Sequence, residues 1–396
     1  MSTELKAGSP PASVPFYNDP KVRSIAYQIA LCLVVAGLIY GAASNAIENL
    51  QRARIASGFG FWDNIAGFDI SQTLISYSNT STYGRAFWVG LLNTLLVAGL
   101  GIIFATILGF IIGIARLSKN WLVNKAATFY VETIRNLPLL LQLLFWYNAV
   151  LKALPDLRDS VKIPGGIYLN NRGLFMPAPS AQAGFGFVEL TLLVGVIGAI
   201  AYRYWARKRQ EQTGQQAPVF LVSLGLIVGL PLLVFLLAGM PLKFDFPEAG
   251  RFNIAGGLEV VPEFAALLFG LSIYTAAFIA EVVRAGILAV SHGQTEASYS
   301  LGMKPGPTLR LIIVPQAMRV IIPPLTSQYL NLTKNSSLAV AIGYPDLVQV
   351  FTGTVLNQTG QAVEVVAITM AVYLTISLVT SFLMNVYNSR VKLVER

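Results

Sequence analysis

Long apolar runs alternate with polar stretches along the entire chain, and several of these runs extend over about 20 residues. A run of that length can cross the hydrocarbon core of a bilayer as a helix. We predict membrane-spanning helices at 24–44, 86–115, 126–151, 185–201, 219–238, 263–290, 324–342 and 364–387. The pattern therefore predicts an all-α polytopic membrane protein with about eight transmembrane helices.

The polar stretches divide the chain into four segments. We predict a tail over 1–23, an anchor helix with its following loop over 24–85, a transmembrane domain over 86–390 and a tail over 391–396. The first apolar run could be a signal peptide, because small residues follow it. Its apolar core exceeds the usual signal-peptide core of about 7–15 residues, so we favour a retained helix.

The composition excludes an ordinary soluble protein. Hydrophobic residues make up 55% of the chain and charged residues 12%, with a mean hydropathy of +0.62. Soluble domains carry about 25% charged residues. The sequence has one cysteine, Cys32, and one histidine, His292. An intrachain disulfide is therefore impossible, and we expect no metal site.

The net charge of +9 is better explained by membrane orientation than by nucleic acid binding. If the N-terminus is inside, the segments on its side of the membrane carry 16 Lys and Arg residues, and the opposite segments carry nine. Cytoplasmic loops carry the excess of basic residues. We therefore predict that both termini, and also the polar stretch at 289–320, are cytoplasmic.

The longest polar stretch between strongly apolar helices has a regular order of small residues. Glu296, Ala297 and Ser298 are followed after three residues by Gly302, and Pro315 comes later in the stretch. Small side chains let another surface approach the backbone closely, and a glycine can adopt the positive φ that ends a helix. Proline limits how far the next helix extends backwards. The stretch predicts two short helices separated by a glycine break.

This spacing resembles the EAA loop of ABC importer permeases, in which Glu-Ala-Ala precedes Gly by three residues and Ile-x-Leu-Pro follows nine residues later. Ser298 and Val314 are mild departures from that pattern. The flanks resemble the polar amino acid, histidine-permease-like branch at Glu281-x-x-Arg284-x-Gly286, at Gly293-Gln294 and at Lys334-x-Ser-Ser-Leu338. The chain looks most like the large Q-type subunits of the general L-amino-acid permeases, although Ser336 departs from the family's usual Lys-x-Thr-Ser-Leu.

The resemblance implies a type I ABC importer permease core with extra helices, of which 185–240 would be an inserted pair. It also implies that 289–320 is a coupling loop, through which closure of a cytoplasmic ATPase dimer switches access across the membrane. The implied ATPase-coupling residues are Gly293, Gln294, Glu296, Ala297, Ser298, Gly302 and Pro315. Glu296 could bind a basic residue of the ATPase, or it could cap its own helix as a first-turn carboxylate.

The implied partners are a second homologous permease, two copies of a cytoplasmic ABC ATPase and a periplasmic amino acid-binding protein, at the inner membrane of a bacterial cell. We favour a second permease that is not identical to this chain. No Gly-Lys dipeptide occurs in the sequence, so the phosphate-binding loop of an ATPase is missing. We therefore expect no enzymatic activity and no cofactor on this chain, with ATP and Mg bound by the partner ATPase.

Polar side chains inside the predicted helices are candidates for a substrate path, because a polar group in the membrane is costly and faces protein or water. The candidates are Gln142, Gln328, Asn331, Lys334, Asn335 and Ser337. They could instead form hydrogen bonds between helices. Pro138 could open the helix before Gln142. Glu281 and Arg284, three residues apart, are expected to form a structural ion pair.

An ion-coupled secondary amino acid transporter is the alternative function. That class usually contains inverted repeats with paired broken helices, and the sequence shows no corresponding halves. The sequence therefore predicts the membrane-spanning translocation subunit of an ATP-driven, binding-protein-dependent amino acid importer.

Overall fold

The computed structural model describes residues 20–52, 57–250 and 253–391. Most of the predicted tail at 1–23, and all but one residue of the predicted tail at 391–396, lie outside the described residues. The helices are α1 (Pro20–Arg52), α2 (Tyr83–Ala115), α3 (Trp121–Asn136), α4 (Leu139–Leu144), α5 (Phe185–Thr213), α6 (Val219–Leu224), α7 (Leu230–Leu237), α8 (Pro262–Leu288), α9 (His292–Ser300), α10 (Pro305–Thr308), α11 (Val314–Asn335), α12 (Leu356–Thr359) and α13 (Ala362–Val391).

Wider π turns and tighter 3₁₀ turns extend or join these helices. The π segments are Phe145–Leu151, Gly225–Gly229, Leu309–Ile313 and Val348–Val355, and the 3₁₀ segments are Gly60–Asp63, Leu157–Asp159 and Ser336–Ile342. Within the described residues, seven helical segments are long and apolar enough to cross a membrane, and a shorter apolar segment occupies Leu139–Leu151. The prediction of an all-α polytopic protein is confirmed for the membrane part.

The predicted single helix at 126–151 is wrong. Helix α3 ends at Asn136, and the next residue, Leu137, has extended backbone angles. Pro138 explains the break, because its ring disfavours the helical conformation of the residue before it. A new helix, α4, begins at Leu139.

The predicted span at 324–342 begins too late. Helical chain runs over Pro305–Ile342, and Pro323 and Pro324 lie inside α11. Prolines are tolerated in membrane helices where local π or 3₁₀ adjustments satisfy the freed backbone groups. Pro315 lies in the first turn of α11, and a π turn at Leu309–Ile313 directly precedes that helix. The chain is therefore helical on both sides of Pro315.

The core is built around α8, which packs along α2 and also against α3, α4 and α11. Close approach of α2 depends on its glycines. A Cβ added at Gly109 would lie 2.5 Å from Ile279 Cγ2, and one added at Gly113 would lie 2.8 Å from the carbonyl oxygen of Ala280. Small residues at such contacts allow tight helix packing in lipid.

Helices α5, α6 and α7 form a hairpin that packs mainly against itself. In the most apolar 18-residue stretch of α5 only 11% is buried, whereas 61% of the corresponding stretch of α8 is buried. The corresponding stretch of α1 is 0% buried. These helices leave wide apolar faces for lipid or for partner subunits.

The predicted loops on either side of this hairpin contain short strands that their sequences did not predict. The strands are β1 (Val161–Ile163), β2 (Ile167–Asn170), β3 (Gly173–Met176), β4 (Ala178–Ala181), β5 (Leu242–Asp245), β6 (Glu248–Ala249), β7 (Ile254–Ala255) and β8 (Leu258–Val260). They form antiparallel sheets in the orders β1-β2-β3-β8, β4-β5 and β6-β7. Because β3 pairs with β8 and β4 with β5, the two loops are tied together across the base of the hairpin.

Candidate transport and coupling sites

The predicted coupling loop folds as two short helices, α9 and α10, separated by a glycine. Gly302 has φ +75°. Its N–H donates to the carbonyl of Tyr299 at 2.9 Å, and the N–H of Met303 donates to the carbonyl of Ser298 at 3.1 Å. This pair of bonds is the Schellman arrangement that ends a helix at a left-handed residue. Glycine at position 302 therefore fixes where α9 ends.

Ser298 lies inside this element rather than on its surface. Its side chain is buried, and Oγ lies within hydrogen-bonding distance of the carbonyl oxygen of Thr295, at 2.8 Å, and of Thr308 Oγ1, at 3.0 Å. The hydroxyl therefore joins α9 to α10. The sequence grouped Ser298 with the small residues that a partner would touch, whereas its contacts in the structure are internal.

The other candidates on α9 are exposed: Gly293, Gln294, Glu296 and Ala297. Gln316 Nε2 at the start of α11 donates to Gln294 Oε1 at 3.3 Å, which links α9 to the next membrane helix. Pro315, beside it, is also exposed at the N-terminal end of α11.

Glu296 is not a first-turn carboxylate, so the prediction that it caps its own helix is wrong. It is the fifth residue of α9, and the first turn contains no acidic residue. Its Oε1 lies 3.0 Å from Nδ1 of His292, and both side chains are mostly exposed. This leaves the Glu296 carboxylate on the surface of α9, where a partner could reach it.

A charged cluster joins three helices at the end of α8 that leads into α9. Glu281 accepts hydrogen bonds from Arg116, the residue directly after α2, from Arg284 at 2.9 Å and from Arg135 of α3 at 3.5 Å. The side chains of Arg116 and Glu281 are 10% and 29% exposed. Sequence spacing predicted the Glu281–Arg284 contact. It missed the contacts of Arg116, which follows an apolar run, and of Arg135, which lies inside the helix predicted at 126–151.

The polar residues of α11 and of the 3₁₀ turn after it point in more than one direction. Asn331 and Lys334 are exposed, and Gln328, Asn335 and Ser337 are half-buried. Ser337 Oγ donates to the carbonyl of Lys334 at 2.7 Å. Within the described part of the chain, the other four side chains form no hydrogen bond or ion pair. Polar side chains without partners on a membrane helix need water or another protein to cover them.

Gln142 bridges the break at Pro138. Its Nε2 donates to the carbonyls of Ile134 and Leu137, both at 3.0 Å. These bonds satisfy groups that the end of α3 leaves free. The side chain is 6% exposed, and its Oε1 is buried without a partner among the described residues. One acceptor of Gln142 is therefore still available.

Sequence reasoning missed a buried polar cluster at the turn between α11 and α13. Asp346 is 0% exposed. Its carboxylate accepts hydrogen bonds from Tyr373 Oη at 3.1 Å and from the N–H of Gln349 at 2.8 Å. Asn93 Nδ2 donates to the carbonyl of Pro345 at 2.9 Å. A carboxylate in an otherwise apolar region was the available signal. The cluster fixes the turn against α2.

Comparison with known proteins gives a consistent result. A family model described as "Binding-protein-dependent transport system inner membrane component" matches residues 192–393. The general L-amino acid transport system permease protein AapQ of Rhizobium johnstonii is 54% identical, with 96% of this chain and 94% of that protein covered. The putative amino-acid ABC transporter permease protein YhdX of Escherichia coli is 52% identical, with 96% and 97% covered.

A third relative, the glutamate/glutamine/aspartate/asparagine transport system permease protein BztB of Rhodobacter capsulatus, is 44% identical, with 96% of each chain covered. The sequence resemblance at the EAA loop and these relatives agree on the class of protein. The chain belongs to the binding-protein-dependent transport system inner membrane components and is a membrane-spanning permease subunit of an ABC importer, not an enzyme.

Proposed function

We propose that this chain imports L-amino acids, as the translocation subunit of a complex that is driven by a separate ATPase. Three relatives that match along nearly their whole length are named as amino acid permeases, one for general L-amino acids and one for glutamate, glutamine, aspartate and asparagine. The observation that carries the proposal is the geometry of α9. It presents exposed residues, including Ala297, follows α8 closely in the chain and is linked to α11 by the Gln294–Gln316 hydrogen bond.

In this mechanism, closure of two ATPase subunits, which bind ATP and Mg, pushes on the exposed face of α9. The Ser298–Thr308 hydrogen bond passes the displacement to α10. From there, helical chain continues over Pro305–Ile342 and carries the polar residues of α11. The cluster around Glu281 holds the ends of α2 and α3 against the part of α8 that leads into α9.

The proposed orientation has both termini in the cytoplasm of a bacterial cell with an inner membrane. It is supported by the excess of Lys and Arg in the segments that share a side with α9. In this orientation the short β-sheets lie outside, where an amino acid-binding protein would deliver its ligand.

The substrate path is proposed to run along α11, between this chain and a second permease. An amino acid carries an ammonium group, which needs acceptors, and a carboxylate, which needs donors. The amides of Gln328, Asn331 and Asn335 provide both, Lys334 adds donors, and the Ser337 hydroxyl oxygen adds an acceptor, since its proton is bonded to the carbonyl of Lys334. The free acceptor of Gln142 is a further candidate. We favour a non-identical second permease, since the large Q-type subunits that the sequence resembles are taken to pair in that way.

Reconstitution with the ATPase and binding protein tests this function. We expect uptake of radiolabelled amino acids into proteoliposomes only with ATP in the compartment that α9 faces, and unchanged uptake after ionophores collapse the ion gradients. Uptake that follows an ion gradient without ATP would instead support the secondary-transporter alternative. Mass measurement of the purified complex distinguishes two different permeases from two copies of this chain.

A further inference from the structure

A cavity at one end of the α5–α7 hairpin contains two arginines that the transport mechanism does not use. The cavity has a volume of about 540 Å³ and lies between α5 and the start of α6. It is lined by Arg203, Ala206, Arg207 and Gln210 on α5 and by Phe220 and Ser223 on α6. The α5 residues are spaced by three and four positions, so they share one face of that helix.

The cavity lies where the hairpin passes from hydrocarbon to water. Helix α5 is mostly apolar before Tyr202, where Glu189 is the one charged residue, and it is rich in basic residues after Tyr202. Around this change in polarity, Tyr204, Trp205 and Phe220 are 73%, 48% and 76% exposed. Trp and Tyr are enriched at the membrane–water interface. The cavity therefore lies at the depth of lipid headgroups.

The positive charge at this cavity is poorly neutralised by the protein. Arg203 has no hydrogen-bonding or acidic partner within the described residues. Arg207 Nε lies 3.2 Å from Glu211 Oε1, but these side chains are 82% and 65% exposed, so the pair is weak. Arg209 is engaged elsewhere, with its guanidinium 5.2 Å from the centre of the Trp205 ring.

The positive-inside tendency explains why basic residues follow α5, but it does not require them to share a cavity wall. Here two guanidinium groups, Arg203 and Arg207, border a cavity that also offers polar Gln210 and Ser223 and apolar Phe220. This combination suits a ligand with an anionic head and an apolar body.

We propose that this cavity binds the phosphate group of an anionic phospholipid. Arg203 and Arg207 donate to the phosphate oxygens, which guanidinium groups match in geometry. Phe220 contacts the glycerol and the first part of an acyl chain. Basic pockets between membrane helices on the cytoplasmic side bind anionic headgroups in this way. The lipid then joins α5 to α6, in a hairpin that has few other packing partners.

Binding of headgroup-labelled phosphatidylglycerol to the full permease complex in phosphatidylcholine nanodiscs tests the proposal. We expect the double variant Arg203→Gln/Arg207→Gln to bind about thirty-fold more weakly, from two contributions of about 1 kcal/mol each. The control Lys119→Gln/Lys125→Gln removes the same charge from residues outside the cavity, and its affinity should be close to that of the native protein.

A second variant, Ser223→Phe, fills the cavity and keeps both arginines, and it should also weaken binding. Inorganic phosphate alone should not displace the lipid at the same phosphate concentration. The proposal is overturned if the arginine variant binds the lipid as tightly as the control, or if Ser223→Phe has no effect. It is also overturned if inorganic phosphate competes as well as the lipid, since the site would then bind free phosphate.

Discussion

Replacement of Glu281 by glutamine should destabilise the permease far more than loss of an ordinary surface carboxylate. Glu281 is the shared acceptor for three arginines, and the Arg116 side chain is only 10% exposed. The substitution keeps the shape and removes the charge, so Arg116 is left as an uncompensated cation among packed helices. Breaking a buried pair in this way costs about 3–5 kcal/mol. Because Glu281 is 29% exposed, we expect a value near the lower end, about 3 kcal/mol.

The matched control is Glu211→Gln, which breaks the exposed pair with Arg207. Exposed pairs contribute about 0–1 kcal/mol. Unfolding of both variants is measured in the same detergent by tryptophan fluorescence, with a double-mutant cycle between Glu281 and Arg116 to isolate their coupling. Equal losses of stability in the two variants, or a coupling free energy near zero, would refute the idea that this cluster holds the base of the coupling loop.

Three further predictions concern packing, coupling and the path. Gly113→Val should cost about 1–3 kcal/mol of unfolding free energy by overpacking, whereas Gly99→Val on the same helix, with open space around its Cβ, should cost little; similar melting temperatures would contradict this. Ser298→Val leaves the Thr308 hydroxyl without its partner, which costs about 1–2 kcal/mol and should lower the amino acid imported per ATP hydrolysed. Asn331→Leu should leave stability unchanged, because the side chain is exposed, and reduce substrate-stimulated ATP hydrolysis about tenfold, the effect of losing about 1.4 kcal/mol; unchanged stimulation would remove Asn331 from the path.

The sequence predicted the helices whose positions are set by residues close together in the chain. Apolar runs predicted the membrane helices, and the spacing around Gly302 predicted two short helices and the family, which the comparisons confirm. The break at Pro138 was less visible, because apolar residues continue on both sides of it. The strands have only two to four residues, which is too short for an alternating pattern to appear.

Contacts between distant segments could not be read from one sequence. Arg116 and Glu281 are 165 residues apart in the chain and meet only because α2 packs along α8. Burial of Ser298 depends in the same way on how α10 folds back on α9. Asp346 accepts one bond from Gln349 nearby in the chain, but its bond from Tyr373 forms only once α13 lies beside it. Residue spacing gave the Glu281–Arg284 contact because both residues are on one helix.

Site-directed cross-linking from α9 tests the central claim most directly. Cys32→Ser gives a chain without cysteine, since Cys32 is the only one, and Ala297→Cys then places a single thiol on the exposed face of α9. In the assembled complex, we predict that a photoactivatable label on this thiol cross-links to the ATPase, and that the yield changes when ATP binds. A label at Gln216→Cys, in the loop after α5, should not cross-link. No ATPase cross-link from position 297, or an equal yield from position 216, would contradict the account.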